Sequence, residues 1–171
     1  MRATTTLSIL FALIAVAFSV QAEIPAPYRP LPIEPPFSFS ERLIDLTAAV
    51  TRAKSEGKPL FIYVGAKDCP HCTAYQTFLE EHYADISPLF QSVLIVDIRT
   101  WLKGPKMVFQ IGDKRLTLEE FKALVGDQNK EFSYPYYWLV SPDLRQIKQL
   151  PRGSKYYLDL ENHKKLLSLK Q

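Results

Sequence analysis

The sequence is poor in cysteine and glycine, with two and six of these residues in a chain of 171. So few cysteines exclude a multi-cysteine disulfide scaffold, and the scarcity of glycine excludes a collagen-like repeat. A charged fraction of 23% and a hydrophobic fraction of 47% exclude a charge-rich disordered chain. The net charge of +3 comes with no basic block, so nucleic acid is not expected as a partner. This composition is that of one soluble globular domain.

Residues 1–22 have the pattern of a cleaved signal peptide. Arg2 precedes an apolar run that ends at Val20, and Val20 and Ala22 put small residues at positions −3 and −1 from a cleavage point. The run is shorter than the roughly twenty residues that a membrane-spanning helix needs, which disfavours an uncleaved anchor. We therefore expect export, a mature chain that begins at Glu23, and no membrane anchor after cleavage.

Residues 23–39 are rich in proline and lack helical or strand periodicity, so we expect an extended arm, partly polyproline II, before a domain at 40–171. The elements predicted after this arm are, in order, a helix that Ser40 caps and Gly57 ends, a strand at 59–65, a helix at 70–83, a strand at 92–98, a hairpin and a helix within an insertion at about 104–126, strands at 136–140 and 144–150, and a helix at 159–170. The first two strands are continuous apolar runs, which are typical of a sheet covered on both faces. This order predicts an α/β fold with a central mixed β-sheet flanked by helices.

Both cysteines lie in one segment, Cys69-Pro70-His71-Cys72, which follows a predicted buried strand and opens a predicted helix. A structural disulfide here would close a very short loop, which stabilises a chain by only about 2 kcal/mol. A zinc site usually needs four ligands, and the sequence has no second cysteine pair. A redox pair needs two neighbouring sulfurs, one of them acidic and exposed, and a strand-to-helix junction supplies both conditions. Redox chemistry is the favoured interpretation, with a structural disulfide and a metal site as the alternatives.

The place of each residue in this segment predicts its role. Cys69 is expected to be the exposed and acidic nucleophile, because backbone N–H groups and the helix dipole favour its thiolate. Pro70 suits the first helical turn, where its missing N–H costs nothing, and His71 is expected to add positive charge or a hydrogen bond. Cys72 lies one step deeper and is expected to be the resolving thiol. Asp68 opposes a second negative charge, but we expect its exposed side chain to turn to solvent.

The segment from Gly57 to Cys72 resembles the strand and active-site turn of the thioredoxin-like superfamily, and in particular of its exported bacterial disulfide oxidoreductases. The dipeptide between the cysteines is of the DsbA type, and the resemblance covers roughly 43–167. It implies a thioredoxin-like fold and a periplasmic location. It also implies a cis-proline opposite the cysteines, which Tyr134-Pro135 matches in position, with Tyr134 as the contact for a substrate peptide.

The sequence departs from the family at two points: the first concerns the route of proton transfer to the deeper thiol, and the second leaves the direction of electron flow open. Tyr63 stands where thioredoxins carry a buried acid that relays protons to the deeper thiol. The insertion at about 104–126 is much smaller than the helical domain that DsbA carries, so the chain is closer to the small single-domain members, which include reductants.

The motif and the resemblance together predict an exported thiol–disulfide oxidoreductase that exchanges disulfides with exported protein substrates through Cys69 and Cys72. No metal or organic cofactor is expected, and a separate redox partner is expected to reset the pair. The alternative is a non-catalytic thioredoxin-like binding module, an assembly factor or holdase of the cell envelope. Such a module would use the proline-rich arm and the aromatic residues near Pro135.

Overall fold

Two β-sheets and their helices organise residues 23–167, the part of the chain that the computed structural model describes. A 3-10 turn at Ala26–Tyr28 precedes the other elements. The strands are β1 (Leu31–Ile33), β2 (Glu41–Asp45), β3 (Leu60–Ala66), β4 (Leu94–Thr100), β5 (Lys106–Ile111), β6 (Lys114–Thr117), β7 (Tyr136–Val140) and β8 (Gln146–Lys148). The helices are α1 (Thr47–Glu56), α2 (Pro70–Glu81), α3 (Tyr83–Phe90), α4 (Leu118–Val125), α5 (Ser154–Tyr157) and α6 (Leu160–Leu167).

The larger sheet has five strands in the order β1-β4-β3-β7-β8. Strands β1, β4 and β3 run parallel, whereas β7 is antiparallel to β3 and β8 is antiparallel to β7. Every residue of β3 and β7 is buried. The reason is that α1 and α4 pack on one face of the sheet, while α2, α3 and α6 pack on the other. The predicted class, α/β with a central mixed sheet flanked by helices, is confirmed.

A second sheet, in the order β2-β5-β6, corrects the helix predicted after Ser40. The helix begins only at Thr47, and the preceding strand β2 pairs in parallel with β5. Leu43 and Leu46 have a spacing that also fits a helix, so the prediction from periodicity is wrong here. The strand forms because its pairing partner comes from a segment far along the chain, which local periodicity does not report.

The predicted insertion consists of the hairpin of β5 and β6 followed by α4. The predicted capping box is confirmed, since the Thr117 hydroxyl accepts the Glu120 N–H at 3.3 Å and the Glu120 carboxylate accepts the Thr117 N–H at 2.8 Å. Phe109 of β5 stacks on Phe121 of α4 with ring centroids 4.2 Å apart, and both rings pack against Trp138 of the central sheet. The hairpin and its helix therefore contribute to the core.

The proline-rich segment at 23–39 contains a strand, which corrects the expectation of an arm without strand structure. Strand β1 pairs in parallel with β4 at the edge of the central sheet, the position in which a strand tolerates a proline such as Pro32. Ile24 and Tyr28 are buried, and the Tyr28 hydroxyl donates a hydrogen bond to the Leu79 carbonyl at 2.7 Å. Local composition predicts that this segment is extended, but not that it pairs with β4 and packs on the domain.

A buried carboxylate ties this segment to β4. One oxygen of Asp97 accepts the Ile24 N–H at 3.2 Å and the Arg99 Nε–H at 2.8 Å, while the other oxygen is buried without a hydrogen bond. Arg99 also pairs with Glu23 at 2.6 Å. Burial raises the pKa of Asp97 from 3.8 to about 6, against the opposing effect of Arg99.

The other elements differ from the prediction mainly at their ends. Helix α3 is an additional helix that the sequence pattern does not predict, because Pro88 within it disfavours a helix interior. Strand β8 occupies only the middle of the predicted 144–150. The predicted signal peptide at 1–22 and the end of the last predicted helix lie outside the described residues. Within 23–167, no helix is long and apolar enough to cross a membrane.

His163 of α6 is fully buried, and neither of its ring nitrogens makes a hydrogen bond. Its ring packs among Tyr75, Phe78, Phe90 and Tyr157, with centroid distances of 5.7 to 6.4 Å. Burial lowers the pKa of His163 from 6.5 to about 4. The folded protein therefore holds this imidazole neutral under conditions in which the unfolded chain protonates it.

We predict that His163→Phe makes the protein less sensitive to acid. Because the unfolded chain binds this proton at a higher pH than the folded chain, His163 costs stability as the pH falls from about 6.5 toward 4, by about 3 kcal/mol in all. Phenylalanine fits an aromatic surround and does not titrate. The free energy of unfolding, measured by urea denaturation between pH 7 and pH 4, is expected to fall less in the variant than in the parent.

Asp97 also changes the free energy of unfolding with pH, in the opposite direction to His163, between about pH 4 and pH 6. Its raised pKa makes the folded state bind the proton more readily than the unfolded chain, so its contribution to stability falls as the pH rises. Both proteins keep Asp97, and its effect cancels in their difference. Equal acid sensitivity in the two proteins would contradict a buried, neutral His163.

Candidate active site

The two cysteines lie where strand β3 ends and helix α2 begins, as the sequence predicts. The chain leaves β3 at Ala66 and turns, with the Cys69 N–H donating to the Ala66 carbonyl at 3.1 Å. Cys69 is the N-cap of α2, with an extended backbone (φ −102°, ψ 113°), and Pro70 occupies the first helical turn. The proline is tolerated there because the N–H that it lacks would have no partner within the helix.

Backbone N–H groups point at both sulfurs. The Cys69 sulfur accepts the Cys72 N–H at 3.3 Å, and the Cys72 sulfur accepts the Ala66 N–H at 3.5 Å. Both cysteines are free thiols. Burial and then the neighbouring Cys69 thiol raise the pKa of Cys72 well above its usual value, while the Ala66 N–H acts in the opposite direction. A thiol that is fully buried and hard to ionise fits the expected resolving role of Cys72.

Cys69 is not open to solvent, which corrects the expectation of an exposed nucleophile. The residue is 3% exposed, and the side chain of Tyr134 packs against the cluster of Ala66, Cys69 and Cys72. The Tyr134 hydroxyl is in turn hydrogen-bonded to the Thr100 hydroxyl at 3.0 Å and accepts an N–H of Arg42 at 3.1 Å. The ring that packs against the cysteine cluster is thus held in place by two other elements.

Arg42 reaches this site from the second sheet. Besides Tyr134, its guanidinium donates to the Pro105 carbonyl at 2.7 Å and to the Trp101 carbonyl at 2.8 Å. It therefore joins β2, the loop after β4 and the tyrosine over the cysteines. The sequence pattern does not identify Arg42, because it predicts the segment around this residue as the start of a helix.

The exposed residues beside the cysteines have partners of their own. The Nδ1 atom of His71 lies 3.2 Å from the Ser154 hydroxyl at the start of α5, and no hydrogen bond joins His71 to either sulfur within 23–167. The carboxylate of Asp68 accepts the Leu102 N–H at 2.8 Å, so it is held by the loop after β4. We expect the Asp68 side chain to turn to solvent. It is exposed, and its carboxylate also binds this backbone N–H, which the sequence does not predict.

The predicted substrate contact lies next to the cysteines in space. The peptide bond between Tyr134 and Pro135 is cis, which agrees with what the resemblance implies for this position. Pro135 is buried directly before β7, and the Tyr134 ring contacts the cysteine cluster. The fold therefore brings together Cys69, Cys72 and this tyrosine from segments far apart in sequence. Among residues 23–167, no three His, Cys, Asp or Glu side chains form a group that could hold a metal ion.

Comparisons with protein-family models, with curated proteins and with solved structures found no match. A function for this chain therefore rests on the architecture and on the geometry of the cysteine site.

We predict that Tyr134→Ala raises the rate at which iodoacetamide alkylates Cys69 several-fold, because the ring that covers the sulfur is removed. Tyr134→Phe keeps the ring and loses the hydroxyl contacts to Arg42 and Thr100, so a smaller increase is expected. The rate is measured on the reduced protein, with the alkylated cysteine identified by peptide mass spectrometry.

The matched control is Tyr83→Ala, which removes a half-exposed aromatic ring of α3. The alkylation rate of Cys69 is expected to match the parent in this control. A Tyr134→Ala protein that reacts no faster than the control would show that the ring does not limit access to the sulfur.

Proposed function

We propose that this protein is an exported thiol–disulfide oxidoreductase with a thioredoxin-like fold, and that it exchanges disulfides with exported protein substrates in the periplasm. The observation that carries the proposal is the pair of free thiols at the start of α2, with the Cys72 N–H donating to the Cys69 sulfur at 3.3 Å. Disulfide exchange needs two such sulfurs in reach of each other, with the attacking one able to ionise.

Two further features support this function. The pair follows a strand that is buried on both faces of a mixed sheet, which fixes the position of the helix N-terminus. Tyr134, the residue that the resemblance implies as the substrate contact, packs against the cysteine pair, as a group that meets a polypeptide bound near Cys69 must. A substrate that binds there would displace the ring of Tyr134 from the sulfur.

In the reducing direction, the Cys69 thiolate attacks one sulfur of a substrate disulfide. A bond forms between Cys69 and that sulfur, the substrate disulfide breaks, and the other substrate sulfur leaves as a thiolate that takes up a proton. Cys72 then attacks Cys69, which releases the second substrate thiol and leaves the Cys69–Cys72 disulfide. The substrate gains two electrons and the protein loses two.

In the oxidising direction, the same bonds form and break in reverse. A substrate thiolate attacks the disulfide at Cys69, Cys72 leaves and is protonated, and the second substrate thiol then displaces Cys69. A redox partner of the opposite kind resets the pair in either case. The reduction potential of the pair decides the direction, since a value of about −120 mV is typical of an oxidant and one of about −270 mV of a reductant.

We predict that Cys72→Ser accumulates covalent adducts with substrate proteins. Removing the resolving thiol stops the reaction at the mixed disulfide on Cys69, because serine does not displace the bound substrate sulfur. The adducts are detected on non-reducing gels of the cell envelope fraction, and they are expected to disappear when a reductant is added.

The control for this experiment is Cys69→Ser, which keeps the buried thiol and removes the proposed nucleophile. It is expected to give no adducts, as is the double serine variant. Absence of reductant-sensitive adducts in Cys72→Ser, or equal amounts in Cys69→Ser, would contradict the assignment of Cys69 as the nucleophile.

A second candidate function, that of a non-catalytic binding module, is favoured by an exposed aromatic surface near the site. Phe37 and Phe39 are 85% and 90% exposed and contact each other edge to face at 4.9 Å. Phe37 and Trp101 line a groove of about 230 Å³ that also contains Arg42, the residue that holds Tyr134. Large exposed apolar groups of this kind are typical of surfaces that bind other proteins.

The two functions predict different results for Cys69→Ser/Cys72→Ser. A holdase is expected to keep its full ability to suppress light scattering by an unfolded, cysteine-free protein in this variant, and to lose it in Phe37→Ser/Phe39→Ser. If the protein acts only through its thiols, neither the parent nor any of these variants is expected to suppress the light scattering. If Cys69→Ser/Cys72→Ser loses the suppression while Phe37→Ser/Phe39→Ser keeps it, the binding-module function is contradicted.

A further inference from the structure

Tyr63, in the middle of β3, has a buried hydroxyl that makes no hydrogen bond. The residue is 1% exposed. Leaving a polar group buried without a partner costs free energy, so such a group in a folded protein requires an explanation. Nothing in the packing of β3 requires a tyrosine here, because phenylalanine would fill the same space without the unmet hydroxyl.

Gly65, two residues later on the same face of β3, makes room for the Tyr63 side chain. A Cβ atom at Gly65 would lie 2.7 Å from the Tyr63 hydroxyl oxygen and 2.6 Å from the nearest ring carbon, both closer than real contacts allow. The ring of Tyr63 thus lies along the strand over Gly65, with its hydroxyl directed toward the carboxyl end of β3. That end is where the cysteine segment begins.

The sulfur of Cys72 lies near the same end of β3. It accepts the N–H of Ala66, the residue directly after Gly65, at 3.5 Å. The Tyr63 hydroxyl and the Cys72 sulfur therefore lie over two consecutive residues of β3, and both are shut off from solvent. In agreement with this placement, burial and then the Cys72 thiol raise the pKa of Tyr63. Burial also raises the pKa of Cys72, and the Tyr63 hydroxyl acts in the opposite direction.

On the basis of the proposed oxidoreductase function, we propose that the Tyr63 hydroxyl is the group that stabilises negative charge on Cys72 during disulfide exchange, and that Gly65 is required to place it there. Burial alone makes Cys72 a poor nucleophile and a poor leaving group, because a desolvated thiolate is costly. A hydrogen bond donated to the sulfur offsets part of that cost when the charge appears.

The step needs no additional reactant. As Cys72 attacks the mixed disulfide, its bond to Cys69 forms and the bond from Cys69 to the substrate sulfur breaks. The proton of Cys72 passes to the departing substrate thiolate, so the step is balanced. Tyr63 keeps its own proton and supplies only the hydrogen bond. In the opposite direction, it donates to Cys72 as that sulfur leaves.

The groups that face Tyr63 keep its hydroxyl protonated, as a donor must be. Tyr75 of α2 and Tyr137 of β7 pack on its ring with centroid distances of 5.7 and 5.6 Å. Asp97 of β4 is its partner in the strand register, and Arg99 binds that carboxylate. Burial first, then Cys72 and Asp97, raise the pKa of Tyr63 well above its usual value.

The test is a single-turnover reaction of the reduced protein with glutathione disulfide, stopped with acid and analysed by mass spectrometry. The first rate is the appearance of the glutathione adduct on Cys69, and the second is its conversion to the internal disulfide. In Tyr63→Phe the first rate is expected to be unchanged and the second to fall roughly 10- to 100-fold, as for loss of a hydrogen bond to a charged group. The pH at which the second rate is half-maximal is expected to rise.

Tyr75→Phe is the matched control, since it also deletes a buried hydroxyl without a hydrogen bond from the same aromatic cluster. Burial and the neighbouring tyrosines, not either thiol, raise the pKa of Tyr75. Both variants are expected to be at least as stable to heat as the parent, because each loses a buried hydroxyl without a hydrogen bond, and the control is expected to keep both rates. Gly65→Ala is expected to slow the second rate as Tyr63→Phe does, because it displaces the phenol.

The outcomes separate this inference from the proposed function. If no adduct forms on Cys69 in the parent protein, the oxidoreductase function and the role of Tyr63 are both overturned. If adducts form and Tyr63→Phe resolves them as fast as Tyr75→Phe, only the role of Tyr63 is overturned. A slow second step with an unchanged pH profile would also overturn it, because a change in packing alone produces that result.

Discussion

The hydrogen bonds from backbone N–H groups to the two sulfurs, at the junction of β3 and α2, are the interactions on which the site depends. A helix that begins at the end of a buried strand needs an acceptor for its first N–H groups, and an oxygen-bearing side chain usually supplies it. Here the Cys69 sulfur accepts the Cys72 N–H, and the Cys72 sulfur accepts the last strand N–H, that of Ala66. At Cys72 the Ala66 N–H opposes the rise of pKa that burial causes, so the same hydrogen bond contributes both to the fold and to the chemistry of the thiol.

Access to these sulfurs is controlled by parts of the chain that lie far from the cysteine segment. Tyr134 covers them, Thr100 at the end of β4 and Arg42 of β2 hold its hydroxyl, and Arg42 is in turn bound to the carbonyls of the loop after β4. The second sheet therefore contributes to the site as well as to the core, because its strand β2 carries Arg42, which binds both the loop after β4 and Tyr134. In the proposed reaction, a bound polypeptide has to replace this ring at Cys69.

The part of the core between the central sheet and helices α2, α3 and α6 contains several buried polar groups with unmet hydrogen bonds. The hydroxyls of Tyr63, Tyr75 and Tyr137 and both nitrogens of His163 belong to it, in a layer that is otherwise apolar. Such groups reduce stability, and an all-phenylalanine layer would avoid the cost. Only Tyr63 among these tyrosines is placed over the cysteine junction by a neighbouring glycine, which is why its hydroxyl is the one to which a function is assigned. Asp97 belongs to the same side of the sheet and is satisfied in part by the N-terminal segment.

The sequence by itself determined the features that depend on neighbouring residues: the buried strand β3, the helix that starts at the cysteine pair, the capping box of α4 and the mixed α/β class. It also placed Tyr134-Pro135 before a buried strand. Only the tertiary structure decided that Glu41–Asp45 is a strand, that the proline-rich segment supplies an edge strand, and that Cys69 is covered. The physical reason is that periodicity records which face of one element is buried. Strand pairing and the burial of Cys69 beside Tyr134 are instead set by contacts between segments that lie far apart in the chain, and local periodicity carries no record of such contacts.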